Sequence, residues 1–153
     1  MDSSLKTKTQ LFYLIREMLT EKVNDAKESI ASAKESRNSD TKSSAGDKYE
    51  TGRAMMQQEI EKNEMQLNGA MNQLQELSRI DLNKKYVKVD NGCVVVTDSE
   101  KYFILIGIGK ILIGDDPYFV ISLASPIGQL LKNKSVGDEI QFQGKHIMVK
   151  EIF

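Results

Sequence analysis

With 153 residues, 40% of them hydrophobic, and 21 lysines and arginines set against 22 aspartates and glutamates, the chain has room for one domain or two small ones. The near-neutral balance argues against a globally basic nucleic-acid binder, although a local basic patch stays open. A lone cysteine, Cys93, excludes an internal disulfide and suits a reducing compartment. Lys6 and Lys8 precede the apolar run Leu11–Ile15, but Arg16 and Glu17 interrupt it. The run is too short for a signal segment and far too short for a membrane span. The expectation is a soluble, cytoplasmic monomer with no membrane partner.

Residues 1–80 contain no proline and are rich in Lys, Glu, Gln, Ala, Met and Ser. Phe12, Leu19, Ala26 and Ala33 recur at seven residues, and Ile15, Lys22, Ile30 and Arg37 roughly fill the alternate seam, with Val23 beside Lys22. A second run follows, with Ile60, Leu67 and Leu74 at seven, flanked by Met56, Met71 and Leu77. Between them lies Ser36–Asp47, composed of turn and cap formers with no large apolar side chain. The pattern predicts an antiparallel coiled-coil hairpin over roughly Leu5–Leu77, turning between Arg37 and Asp47. Each arm of roughly 30 residues would be about 45 Å long. Small residues toward the turn (Ala26, Ala33) and larger ones at the base (Phe12, Leu19, Leu67, Leu74) imply a slender far end.

Residues 81–153 hold both prolines and no arginine. The shift in composition places a domain boundary near Ser78–Asn83, giving a hairpin domain over 1–80 with its tip at about 38–50, and a β domain over 81–153. Gly92–Asp98 and Lys101–Gly114 are β-branched runs, Tyr118–Leu123 follows a Pro117-containing turn, and Glu139–Phe153 alternates around Gly144. Ser125 as N-cap and Pro126 at the first helical position signal one short helix carrying Ile127, Leu130 and Leu131. The fold class expected is α+β: the hairpin, then a small antiparallel sheet with one covering helix.

No self-contained catalytic set is visible. His146 is the sole histidine and sits in a strand pattern without an acidic or cysteine neighbour, so a plain strand residue is the stronger reading. Cys93 reads as a small core residue, and Gly107–Gly109 lacks the remainder of a dinucleotide fingerprint. Asp47 and Glu50 stand apart. Three residues apart after Gly46, they fit a capping box at a helix start, but a cap at the end of a long slender arm invites a second reading. Two carboxylates can share a divalent metal that prefers hard oxygen ligands, with Asp40 across the turn as an accessory. Two ligands are too few for a closed site, so a partner must supply the rest.

The stretch from Ser125 to Ile152 resembles the C-terminal end of bacterial GreA/GreB transcript cleavage factors, through Ser125-Pro126-Ile127, Leu130 or Leu131, Lys134 and Val136-Gly137-Asp138-Glu139. At the tip, Gly46-Asp47-Lys48-Tyr49-Glu50 matches that family's Gly-Asp-x-x-Glu. The order of a helical hairpin followed by a sheet domain similar to FK506-binding proteins resembles the family too. The resemblance implies a transcription elongation factor, not itself an enzyme, that binds RNA polymerase and inserts its coiled coil into the secondary channel. There Asp47 and Glu50 would help hold a Mg²⁺ shared with the polymerase and stimulate cleavage at the 3′ end of backtracked nascent RNA. Ser125, Pro126, Ile127, Gly137 and Asp138 would belong to the docking side, and no cofactor or stable metal is expected in the isolated protein.

The family usually continues with an Asn-Ala-Glu-Tyr-like run where this chain has Thr51-Gly52-Arg53-Ala54. That departure keeps a second reading in play, a channel-binding regulator of the same shape that does not stimulate cleavage. A peptidyl-prolyl isomerase is a weaker rival, because the half has no tryptophan for a pocket floor. A plain coiled-coil adaptor is another.

Overall fold

The computed structural model describes residues 2–39 and 46–153. Two helices open the chain, α1 (Ser3–Ser39) and α2 (Gly46–Ser78). Asp2 caps α1 by accepting the Ser4 N–H at 3.3 Å. The end of α2 tightens into three-residue bonds, Arg79 N to Glu76 O and Ile80 N to Leu77 O, both 3.2 Å. The remainder is β1 (Val94–Thr97), β2 (Lys101–Ile104), β3 (Gly109–Ile113), β4 (Asp116–Ile121), α3 (Pro126–Leu131), β5 (Glu139–Phe142) and β6 (Lys145–Ile152). The fold is α+β, a helical hairpin followed by a small sheet with one short helix. Two compact units divide the chain, one of Arg16–Gln75 and the other of Met1–Ile15 with Glu76–Phe153.

In the hairpin unit, the chain turns back so that Arg37 near the end of α1 donates from Nη1 to Gln57 Oε1 of α2 at 2.7 Å. The seam follows the heptad count at Leu19, Ala26 and Ala33 on α1 and at Ile60, Leu67 and Leu74 on α2, and departs from it at the base, where Leu11 is buried in place of Phe12. Leu11, Ile15, Leu19 and Val23 are buried at steps of four, while Phe12 is only half-buried and Lys22 is exposed. On α2 the seam runs through Ile60, Asn63, Ala70 and Leu77, and Met71 is 50% exposed rather than flanking it.

The sheet runs β3-β4-β2-β1-β6-β5. It is not wholly antiparallel: β2 and β4 pair in parallel, Tyr102 opposite Phe119 and Ile104 opposite Ile121. The cause lies in Lys101–Gly114, which forms two strands rather than one. The chain leaves β2 after Ile104, passes Gly109 at φ 103°, and enters β3 at the sheet edge, so β4 returns between them. Pro117 sits inside β4 opposite Leu112, not in the turn before it. The β5–β6 hairpin closes on Gln143 and Gly144 at φ 50° and 77°, as a two-residue turn with both positions left-handed requires.

Both sheet faces are closed. On one, Val95, Tyr102, Ile104, Ile147 and Val149 form a core with Leu131 of α3. The other carries Val94, Phe103 and Val120, each with no exposed surface. Leu11, Ile15 and Leu77, in the same unit, are buried to 1% or less.

Candidate functional site

The tip is built by the end of α1 and the start of α2. Because α2 begins at Gly46, Asp47 is its second residue and Glu50 its fifth. Residues three apart share a helix face, and a carboxylate in the first turn is favoured by the helix dipole. Glu50 is exposed. Asp40 lies outside the described residues.

Glu50 borders a hollow of about 350 Å³ shared with Arg37, Arg53, Ala54 and Gln57. Arg37 is half-buried, and its Nε is buried without a hydrogen-bond partner among the described residues. Sequence reading treated Arg37 only as a seam filler. The hollow therefore brings Arg37 and Arg53 into the neighbourhood of Glu50, which the matching motif alone did not reveal. Gly52, in the first turns of α2, leaves the helix there without a side chain to stiffen it.

The docking candidates on the sheet unit all carry structural tasks. Ser125 Oγ accepts the Gly128 N–H at 3.1 Å and donates to Ser122 O at 2.7 Å. Pro126 follows as the first helical residue, and Ile127 packs against the core. Gly128 is buried so tightly that an added Cβ would lie 2.2 Å from Ser122 O. Gly137 turns the chain at φ 94°, and Asp138 accepts the Ser135 N–H at 2.8 Å. Lys88 bridges Ser135 in antiparallel fashion, which puts Val87 and Val136 on one flank, 82% and 59% exposed.

His146 is exposed in β6 opposite Gln141. Cys93 is buried, and burial pushes its thiol up to about 11, far from the range of a reactive thiolate. Among the described residues, no group of three or more His, Cys, Asp or Glu side chains gathers to hold a metal. No helix among them is long and apolar enough to cross a membrane.

A second cluster escaped the sequence reading altogether. Lys8, on the first turns of α1, is only 2% exposed, with its ammonium 4.7 Å from the centre of the Tyr86 ring. Lys84 approaches the same ring at 5.0 Å. The Tyr86 hydroxyl donates to Asn91 O at 2.7 Å. Gly92 is the residue that allows this placement, since its φ is 95° and a Cβ there would lie 2.5 Å from the Tyr86 hydroxyl. The available signal was spacing: Lys8 falls three and seven residues before Leu11 and Ile15, on the buried stripe.

The fold and tip together define a two-part α+β protein that sets paired acidic positions at the end of a helical hairpin. No protein-family model and no curated protein matches the chain. Among solved structures, that of the transcription factor Gfh1 is similar at 19% identity, covering 90% of this chain and 92% of that one, with a TM-score of 0.35.

Proposed function

We propose that the protein is a GreA/GreB-like transcription elongation factor that binds RNA polymerase and places its hairpin tip at the polymerase active centre. The observation that carries this reading is the position of Asp47 and Glu50 in the opening turns of α2, where the hairpin reverses. Helices of 37 and 33 residues are about 55 and 50 Å long. Reach is the property that such length supplies.

Asp47 and Glu50 offer hard oxygen donors suited to part of a Mg²⁺ shell, with the remaining ligands coming from the polymerase and water. Asp47 and Glu50 would hold the ion by their carboxylates, and the chemistry it would supply there is Lewis-acid activation of water and phosphate. In this reading the chain's own role is to position two negative charges, so it is not an enzyme by itself. The isolated protein is expected to bind no Mg²⁺ stably. The flank around Gly137 and Asp138, with exposed Val87 and Val136 beside it, is the docking side.

One observation favours the second reading, a regulator that occupies the channel without stimulating cleavage. Arg37 and Arg53 border the same hollow as Glu50, and their positive charge competes with a divalent ion for the carboxylate. RNA cleavage by a backtracked elongation complex, with and without the protein, decides between them. Stimulated cleavage is the expected result, weaker than from a typical cleavage factor. Tight binding to polymerase with uncut RNA would assign the regulator role.

A further inference from the structure

The two ends of the sheet are finished differently. At one end β5 lies against α3. At the other, β3 pairs with β4 on one side, and no described strand or bridge pairs with it on the other. An open edge presents unpaired N–H and C=O groups, which proline, bulges or repeated charge normally guard. The run Gly109–Ile113 has one lysine, no proline and an unbroken register against β4. Leu112 is 54% exposed on it.

The ladder decides which groups are free. Leu105 N–H donates to Ile121 O at 2.7 Å, so Ile121 turns its backbone polar groups toward β2. These groups alternate sides along a strand, so Phe119 and Pro117 also face β2, while Asp116, Tyr118 and Val120 face β3. The Ile108 N–H donates to Val120 O at 3.1 Å, in agreement. Ile113, Ile111 and Gly109, the β3 partners of that second set, therefore point back at β4. The N–H and C=O groups of Lys110 and Leu112 are left facing outward. Pro117 costs this ladder nothing, because it lies opposite Leu112.

Two outward residues separated by one make a self-complementary edge. When β3 runs antiparallel to its own copy with Ile111 opposite Ile111, Lys110 lies opposite the copy's Leu112, and Leu112 opposite the copy's Lys110. Each of these pairs exchanges two hydrogen bonds, so every outward group of both copies is used. Neighbouring registers are worse. One sets lysine against lysine, and the other sets Lys110 against Gly114, whose φ of 61° is not extended. In the favoured register no like charges are opposed, and the lysine stem covers the exposed leucine.

We propose that the open edge of β3 pairs antiparallel with β3 of a second copy about a two-fold axis at Ile111, joining two sheets into one. An edge of five residues is short for a permanent interface, so the dimer is weak, with a Kd on the order of 0.1–1 mM. The surface lies wholly in the sheet-containing unit and is independent of the tip.

Sedimentation of the full chain between about 10 μM and about 1 mM tests this, with monomer expected at the bottom of the range and dimer at the top. Over the same range, the amide signals of Lys110 and Leu112 should shift more than those of Ile111 and Ile113, which already face β4. Leu112→Lys sets lysine against lysine twice and should weaken the dimer at least tenfold. Lys110→Pro removes an outward donor without touching the β4 ladder and should do the same. Lys110→Thr removes the one charge on the edge and should tighten the dimer, a gain that a folding defect does not produce. A capped peptide of the Gly109–Ile113 sequence should compete with the dimer, and a scrambled one should not. A chain that stays monomeric throughout, a dimer unaffected by both weakening variants, shifts confined to other residues, or equal competition by the scrambled peptide would each overturn the self-pairing.

Discussion

The two units spend the same alphabet differently. In the sheet-containing unit, Phe103, Val94, Val95, Ile104, Leu131 and Val149 have no exposed surface, and large side chains meet on both faces of the sheet. In the hairpin unit beyond Leu19, the buried positions are mostly small or polar: Val23, Ala26, Ala33, Ile60, Asn63 and Ala70. Burial stabilises at about 25 cal/mol per Å² of apolar surface, so the slender seam contributes little per residue. The difference is one of core thickness: large side chains close the sheet unit, and small ones close the hairpin unit.

The largest blow to that contrast comes from the sheet. Phe103→Ala removes a ring with no exposed surface and is expected to cost about 3–5 kcal/mol, read by urea denaturation. Gly128→Ala drives a Cβ against Ser122 O and should cost about 1–3 kcal/mol in the same assay. In the hairpin the sign reverses. Asn63 is 6% exposed in the seam, and its amide donates to Glu59 Oε1 at a long 3.4 Å. Asn63→Leu should therefore raise stability on the order of 1 kcal/mol, while relaxing the register that a buried polar residue fixes. Of similar size, Ser125→Ala deletes the cap of α3 and should lower stability by about 1 kcal/mol.

Legibility in the sequence followed the same division. The hairpin was readable because apolar residues recur over many turns and Ser36–Asp47 holds no large apolar residue to continue them. Its register was readable from Leu19 outward but not at the base, since Leu11 and Phe12 are both apolar and only packing chooses between them. In the sheet, the α3 cap and the turn at Gly144 were legible from local chemistry. The parallel pairing of β2 with β4 was not, because Phe103 to Ile108 is unbroken except at Gly107, and nothing local marks where a strand leaves the ladder. Lys8 stayed hidden for a different reason. Lysine reads as surface, and its burial depends on Tyr86 and Gly92, far along the chain.

At the tip, sequence carried the motif and structure added its surroundings. Gly46-Asp47-x-x-Glu50 was visible at once, whereas Arg37 joins the Glu50 hollow only because the hairpin folds back.

The measurement that bears most directly on the proposed role of the hairpin is polymerase binding and RNA cleavage compared for wild type, Asp47→Asn and Glu50→Gln. The amides keep size and some hydrogen bonding but lose the charge that attracts a divalent ion. If the hairpin exists to deliver those charges, both variants bind polymerase within about twofold of wild type, a difference of about 0.4 kcal/mol, and stimulated cleavage disappears. Cleavage that falls only in proportion to a loss of folded hairpin, followed by circular dichroism, would contradict the account and leave the two carboxylates as helix-end stabilisers.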